Sequence, residues 1–190
     1  MSLLFRKVYR LSGLIFPLIY FFADKRTAIF WLSLATLLFL ILEISRFSFP
    51  QFNRRIFNTL KAILKREERK VRVSGTTYFL FGSLLTVIFF EKSIAITALL
   101  FLIFGDALCA LVGVKWGKIR IGRKTLEGSI ANFGSCLFIA LILKYTYLGL
   151  DLRVAFWGAL VASLVELAPS PVNDNLSIPL CSALAMAMAS

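Results

Sequence analysis

The chain has no histidine, three cysteines, and ten acidic residues against 22 lysines and arginines. Each shortage excludes something. Without histidine there is no His-ligated zinc and no histidine general base, so any metal here should be hard and oxygen-ligated, such as Mg²⁺. Cys109, Cys136 and Cys181 are odd in number and all fall in apolar runs, so they read as small buried hydrophobes rather than a disulfide framework. Polar stretches are scarce as well: 59% of the 190 residues are hydrophobic, which lies outside soluble globular composition. A soluble helical bundle fails on residues 27–44, a span-length segment in which Glu43 is the single charge. No cleaved signal peptide is expected, because Asp24, Lys25 and Arg26 stand where a small-residue cleavage site would be.

What is present is a series of apolar runs. They predict an all-α polytopic membrane protein in a single domain spanning 1–190, with about seven helices at 8–22, 27–45, 76–90, 94–114, 130–149, 153–169 and 176–189. The first and last are short for a hydrocarbon core of about 30 Å. Alternating the sides of the loops collects Arg6, Lys7, Arg10, the basic connector 46–72 and the basic residues of the Gly/Lys-rich loop 115–129 on one side. Lys25, Arg26, Lys92, Lys144 and Arg153 fall on the other. The larger cluster marks the cytoplasmic side and places the N-terminus there. This bias accounts for the net charge of +12, so no nucleic-acid partner is expected. The connector interleaves bases with apolar residues, and Phe52, Ile56, Ile63 and Leu64 share a rough helical face. It reads as a juxtamembrane segment held by anionic headgroups or as an interfacial helix.

Asp106 is the exceptional residue. It stands inside the run 94–114, where a carboxylate costs about 2.5–3.5 kcal/mol on insertion scales and is usually retained for a task. The topology sets it about 13 Å below the cytoplasmic surface. Just beyond it Gly113, Gly117, Gly122 and Gly128 alternate with Lys115, Lys118, Arg120, Arg123 and Lys124. Glycines let backbone N–H groups approach phosphate oxygens while the cations neutralise them. On residues alone, the loop reads equally as a basic cytoplasmic loop with glycine turns. A P-loop is rejected: one residue too many separates Gly122 from Lys124, and no strand precedes the glycines.

Asp106, Glu127, Glu166, Asp174 and Asn175 form the acidic and polar set on the same side, with the Pro-broken segment 168–175 between the last two helices. Phosphoryl transfer needs a divalent cation held by one or two carboxylates and benefits from a base near the attacking hydroxyl. Competing structural roles exist: Glu127 as a helix N-terminal charge, and Asp174 or Asn175 as a helix cap.

The strings Gly105-Asp106-Ala107, Gly113 with Gly117-Lys118, and Lys124-Thr125-Leu126-Glu127-Gly128-Ser129 resemble the integral-membrane CTP-dependent lipid kinases. That family includes dolichol (polyprenol) kinase, phytol kinase and the CTP-dependent diacylglycerol kinase. Further matches run along nearly the whole chain: Arg6-Lys7, Leu11-Ser12-Gly13, Arg66-Glu67-Glu68-Arg69 before Ser74-Gly75-Thr76-Thr77-Tyr78, and Glu166 followed by 174–180. Arg10 stands where the family often carries histidine. The resemblance implies transfer of the γ-phosphoryl of CTP to a lipid alcohol at a cytoplasm-facing site, with nucleotide-dependent activity at Arg6, Lys7, Asp106 and Gly113. In that scheme Asp106 holds Mg²⁺ or accepts the hydroxyl proton, and Glu166 and Asp174 are further metal ligands. Lys118, Arg123 and Lys124 neutralise the triphosphate, Gly117, Gly122 and Gly128 shape its loop, and Glu127 orients a lysine or binds the metal. The acceptor alcohol and the oligomeric state are left open. Alternatives are cytidylyl transfer onto a phosphatidate-type lipid and, with less support because no internal repeat is visible, a small transporter.

Overall fold

The computed structural model describes residues 11–49, 73–122, 124–168 and 172–190. Among them are seven α-helices: α1 (Ile15–Phe22, preceded by the 3-10 turn Ser12–Leu14), α2 (Lys25–Ser48), α3 (Gly75–Phe89), α4 (Lys92–Trp116), α5 (Leu126–Lys144), α6 (Leu152–Leu167) and α7 (Asp174–Ala189). Two short strands, β1 (Arg120–Ile121) and β2 (Lys124–Thr125), pair antiparallel between α4 and α5. The purely helical expectation omits this hairpin. Of the connector 46–72, residues 46–48 continue α2 instead, and 50–72 lie outside the described residues.

Helix boundaries follow side-chain caps rather than the edges of apolar runs. Asp24 accepts from the Arg26 and Thr27 amides, so α2 starts before its apolar stretch does. Ser74 accepts from Thr77, and Thr125 from Gly128, which starts α5 four residues earlier than hydropathy alone suggests. At its far end α5 stops at Lys144, and the chain turns through Gly149 at φ 56°.

Among the described residues three helices, α2, α4 and α5, are long and apolar enough to cross a membrane. This is a membrane protein. The others are shorter: fifteen or sixteen residues, as in α3, α6 and α7, cover only about 22–24 Å.

Helix α4 is the wall between two packed clusters. Ile94, Ala98, Phe101 and Leu102 face α5, α6 and α7, while Ala95, Ile96 and Leu99 face α1, α2 and α3. Association inside lipid gains little from hydrophobicity and relies on close packing of small residues. Accordingly Ala98, Ala140, Ala155, Ala159, Ala162 and Ala183 are fully buried. A Cβ on Gly82 would lie 2.7 Å from the Asn175 carbonyl, so α3 and α7 touch almost backbone to backbone. Helix α2 is peripheral and exposes Phe30, Trp31, Leu34, Leu37, Leu38 and Ile41, an apolar face suited to acyl chains.

The two ends of the bundle differ. At one end lysines serve as staples: Lys92 donates to the Ala23 carbonyl at 2.8 Å, and Lys25 to the Phe90 carbonyl at 3.2 Å. The other end gathers the end of α2, the starts of α3 and α7, the end of α6, and the hairpin. It carries the polar chemistry.

Candidate functional site

Asp106, Cys109 and Gly113 are spaced by three and four residues, so they share one face of the last turns of α4. That face meets the hairpin and the start of α5 at very short range. A Cβ on Gly113 would sit 2.8 Å from Thr125 Oγ1, and one on Gly128 would sit 2.8 Å from the Cys109 carbonyl. Gly117 ends α4 against Thr125, where a Cβ would lie 2.6 Å from Thr125 Cγ2. These glycines are packing residues. Gly122 differs: it turns the hairpin at φ 64°, exposed and with nothing near it, a backbone conformation that favours glycine.

The hairpin is held at its base. The Leu126 amide donates to the Ile119 carbonyl at 3.0 Å, and both Glu127 oxygens accept from the Ile119 amide, at 3.1 and 3.3 Å. Lys118 is exposed and close enough to Glu127 for their charges to interact. In this arrangement Glu127 shapes the loop.

Lys124 reaches inward from β2. Its ammonium donates to Asp174 Oδ2 at 2.9 Å and to the backbone carbonyl of Glu166, and it lies 3.5 Å from Glu166 Oε1. The contact with the Glu166 carbonyl caps the end of α6, where carbonyls lack intrahelical partners. Glu166 itself stands in the last turn of α6, at the negative end of the helix dipole, so a nearby cation is needed to hold its charge there. Burial alone would lower the Lys124 pKa, but the carboxylates of Glu166 and then Asp174 outweigh it and hold it above the ordinary lysine value. Lys124 is a cation here, not a base.

Two more groups complete the cluster. Cys109 donates its thiol to Glu166 Oε1 at 3.7 Å, and Asp106 lies close enough to Glu166 for the two charges to interact. Asp174 is the first residue of α7 but does not cap it. Asn173 does, accepting from the Asn175 amide at 3.0 Å, which leaves the Asp174 carboxylate to Lys124. The Asn175 side chain instead donates to the Gly75 carbonyl at 2.8 Å, tying α7 to α3.

The sequence-derived set is therefore brought together in part. Asp106, Lys124, Glu166 and Asp174 form one cluster, Gly113, Gly117 and Gly128 form its packed floor, and Glu127, Lys118 and Gly122 belong to the hairpin. Arg6, Lys7, Arg10, Arg123 and residues 169–171 lie outside the described residues. Cys109 is an addition, since an apolar context gives a cysteine no visible task. So is a buried ion pair, Glu43 with Arg46 at 2.6 Å, whose carboxylate also accepts from the Ser74 amide and the Thr77 hydroxyl. The available signal was Glu43 as the lone charge of its span.

Among the described residues no three acids or cysteines are gathered closely enough to hold a metal by themselves. Mg²⁺ ordinarily takes one or two protein carboxylates plus phosphate oxygens and water. The donor set suits that mode: Glu166 Oε2 is buried and without a hydrogen-bond partner among the described residues, and Asp174 stands beside it.

No family model matches the chain, and no solved structure does. Three curated proteins define its relations. Over 181 residues it is 33% identical to an uncharacterized protein, RP860, of Rickettsia prowazekii (strain Madrid E), covering 92% of this chain and 88% of that protein. CTP-dependent diacylglycerol kinase 1 of Schizosaccharomyces pombe is 29% identical over 160 residues, 74% of this chain and 71% of the kinase. The enzyme of the same name from Saccharomyces cerevisiae is 29% identical over 133 residues, 67% of this chain and 46% of that enzyme, so the match spans less than half of its length. The chain belongs to one family with RP860 and is a homologue of the fungal CTP-dependent diacylglycerol kinases.

Proposed function

We propose that this chain is a CTP-dependent lipid kinase, a single membrane domain that moves the γ-phosphoryl group of CTP to the hydroxyl of a membrane lipid alcohol. Diacylglycerol is the first acceptor to consider, because the fungal relatives are named for it. Polyprenol, dolichol or another isoprenoid alcohol would suit the same geometry. The observation that carries the reading is Lys124 held by Glu166 and Asp174 beside the Asp106 face of α4. A cation and several carboxylates at the end of an apolar bundle are what a triphosphate and a bilayer-bound hydroxyl need in order to meet.

The residues divide the work by charge. Lys124 neutralises phosphate oxygens, assisted by Lys118 and Arg123 on the hairpin and by Arg6 and Lys7. Gly113, Gly117 and Gly128 let the hairpin seat against α4, and Gly122 turns it. Glu166 and Asp174 would hold Mg²⁺, which when bound spreads the developing charge on the β- and γ-phosphates. Asp106, the one acid of α4, would accept the hydroxyl proton of a lipid approaching from the bilayer. The lysine and arginine distribution puts this end of the bundle in the cytoplasm, where CTP is found.

The test uses purified protein in mixed micelles with diacylglycerol, polyprenol or phosphatidate and CTP labelled in the α or the γ phosphate. Label on the lipid from γ-labelled CTP alone is the expected result. Transfer from α-labelled CTP onto phosphatidate would instead identify a cytidylyltransferase. No label from CTP or ATP on any lipid overturns the reading.

A further inference from the structure

Lys124 joins three parts of the chain through one ammonium: β2, the last turn of α6 and the first residue of α7. One positive charge serves two carboxylates, and it does not satisfy them. Glu166 is 5% exposed, yet its Oε2 has no partner among the described residues, although a carboxylate oxygen at that depth normally has one. Its other oxygen receives only a weak thiol donor at 3.7 Å and the ammonium at 3.5 Å, beyond hydrogen-bond length. The Lys124 side chain is 23% exposed and that of Asp174 35%, so the cluster opens to solvent on their side. An ammonium is a point charge with three donors. A divalent cation carries twice the charge and would take oxygens that the lysine leaves unused.

The lysine is also positioned to leave. It stands on a two-residue strand next to the Gly122 turn, and its four-carbon stem can swing outward while Thr125 keeps its cap on α5. We propose, on the reading that this site handles CTP, that Glu166 and Asp174 are a divalent-cation site in which Lys124 is the resident counter-ion. Cation and ammonium compete for the same carboxylates, and the displaced ammonium turns to the phosphates. Cation and nucleotide then assist one another: a phosphate that draws Lys124 away returns the carboxylates to the metal, and the metal releases the lysine for the phosphate. Such coupling is reciprocal by necessity. It also spares the empty protein two uncompensated carboxylates, one of them at the C-terminus of α6.

The experiment uses Mn²⁺ alone, without nucleotide or lipid, titrated onto the full chain in detergent while free Mn²⁺ is read by electron paramagnetic resonance. Lys124→Met should bind Mn²⁺ about tenfold or more tightly than wild type, because the competing charge is gone. Adding Glu166→Gln to that variant should abolish the gain. Lys124→Gln keeps a hydrogen-bond donor for the α6 carbonyl and is read alongside as a gentler replacement; it must tighten binding as well. If both single variants bind Mn²⁺ as wild type does, or more weakly, the proposal is overturned. Lipid labelling from CTP with unchanged Mn²⁺ affinity sinks the counter-ion and leaves the kinase standing. Tightened Mn²⁺ binding without lipid labelling does the reverse.

Discussion

Gly128→Ala tests the packing that seats the hairpin on α4. The added methyl would lie 2.8 Å from the Cys109 carbonyl oxygen, 2.9 Å from Thr125 Oγ1 and 3.1 Å from Cys109 Sγ. Favourable contacts between such atoms lie near 3.5–4.0 Å, so all three distances are repulsive. Neither oxygen can yield easily. One is α4 backbone, and the other is the hydroxyl that caps α5. Relief requires α4 and α5 to separate, and overpacking of this kind costs about 1–3 kcal/mol. Alanine also gains up to about 1 kcal/mol over glycine in a helix, which would blur the comparison with wild type. Gly134 removes that difficulty: it lies in the same helix with nothing within 4 Å of its would-be Cβ. Gly128 is the third residue of α5 and gains less than the interior Gly134, so a difference beyond about 1 kcal/mol between the two alanine variants reports the clash. At roughly 2–4 °C per kcal/mol for a chain of this length, Gly128→Ala should melt several degrees below Gly134→Ala. The assay is thermal unfolding in detergent, followed by tryptophan fluorescence or by exposure of Cys109. Equal melting temperatures would refute the close approach of α4 and α5.

Asp106→Asn keeps the size and removes the charge, and lipid labelling from CTP should fall about a hundredfold or more; a near wild-type rate rules out its assignment. Glu43→Gln removes a buried carboxylate charge that accepts from Arg46, the Ser74 amide and the Thr77 hydroxyl, which should destabilise the protein by about 1–3 kcal/mol, measured by denaturant or thermal unfolding. Asp24 caps α2, and hydrogen bonds from Thr27, then from the Thr27 and Arg26 amides, hold its carboxyl below the ordinary value. Its contribution is present above the unfolded carboxyl pKa, near 3.9, and is lost as pH falls through the lower folded value. Asp24→Ala should therefore lower the melting temperature at neutral pH, and the gap to wild type should close in acid; a gap that does not change with pH counts against the cap.

Composition and order along the chain were enough to establish a helical membrane protein and the approximate position of every described helix, and they singled out Asp106 as a candidate. Hydropathy is additive along a run, and a carboxylate within such a run costs the same kind of energy whatever surrounds it. Helix ends were less legible. Thr125 and Asn173 act through single hydrogen bonds to residues two or three positions on, and several residues near each end could have made them. The site depended on tertiary structure. Lys124 meets Glu166 and Asp174 across 42 and 50 residues, and Cys109 meets Glu166 across 57. Nothing local marks such partners, because their meeting depends on how closely α4, α5 and α6 pack. The same holds for Glu127 and Glu43. Charge made both visible in the sequence, but only the folded chain shows one bound to the Ile119 amide and the other to Arg46, Ser74 and Thr77. A carboxylate's identity is carried by its residue, whereas its role is set by the donors that the fold brings within hydrogen-bond reach.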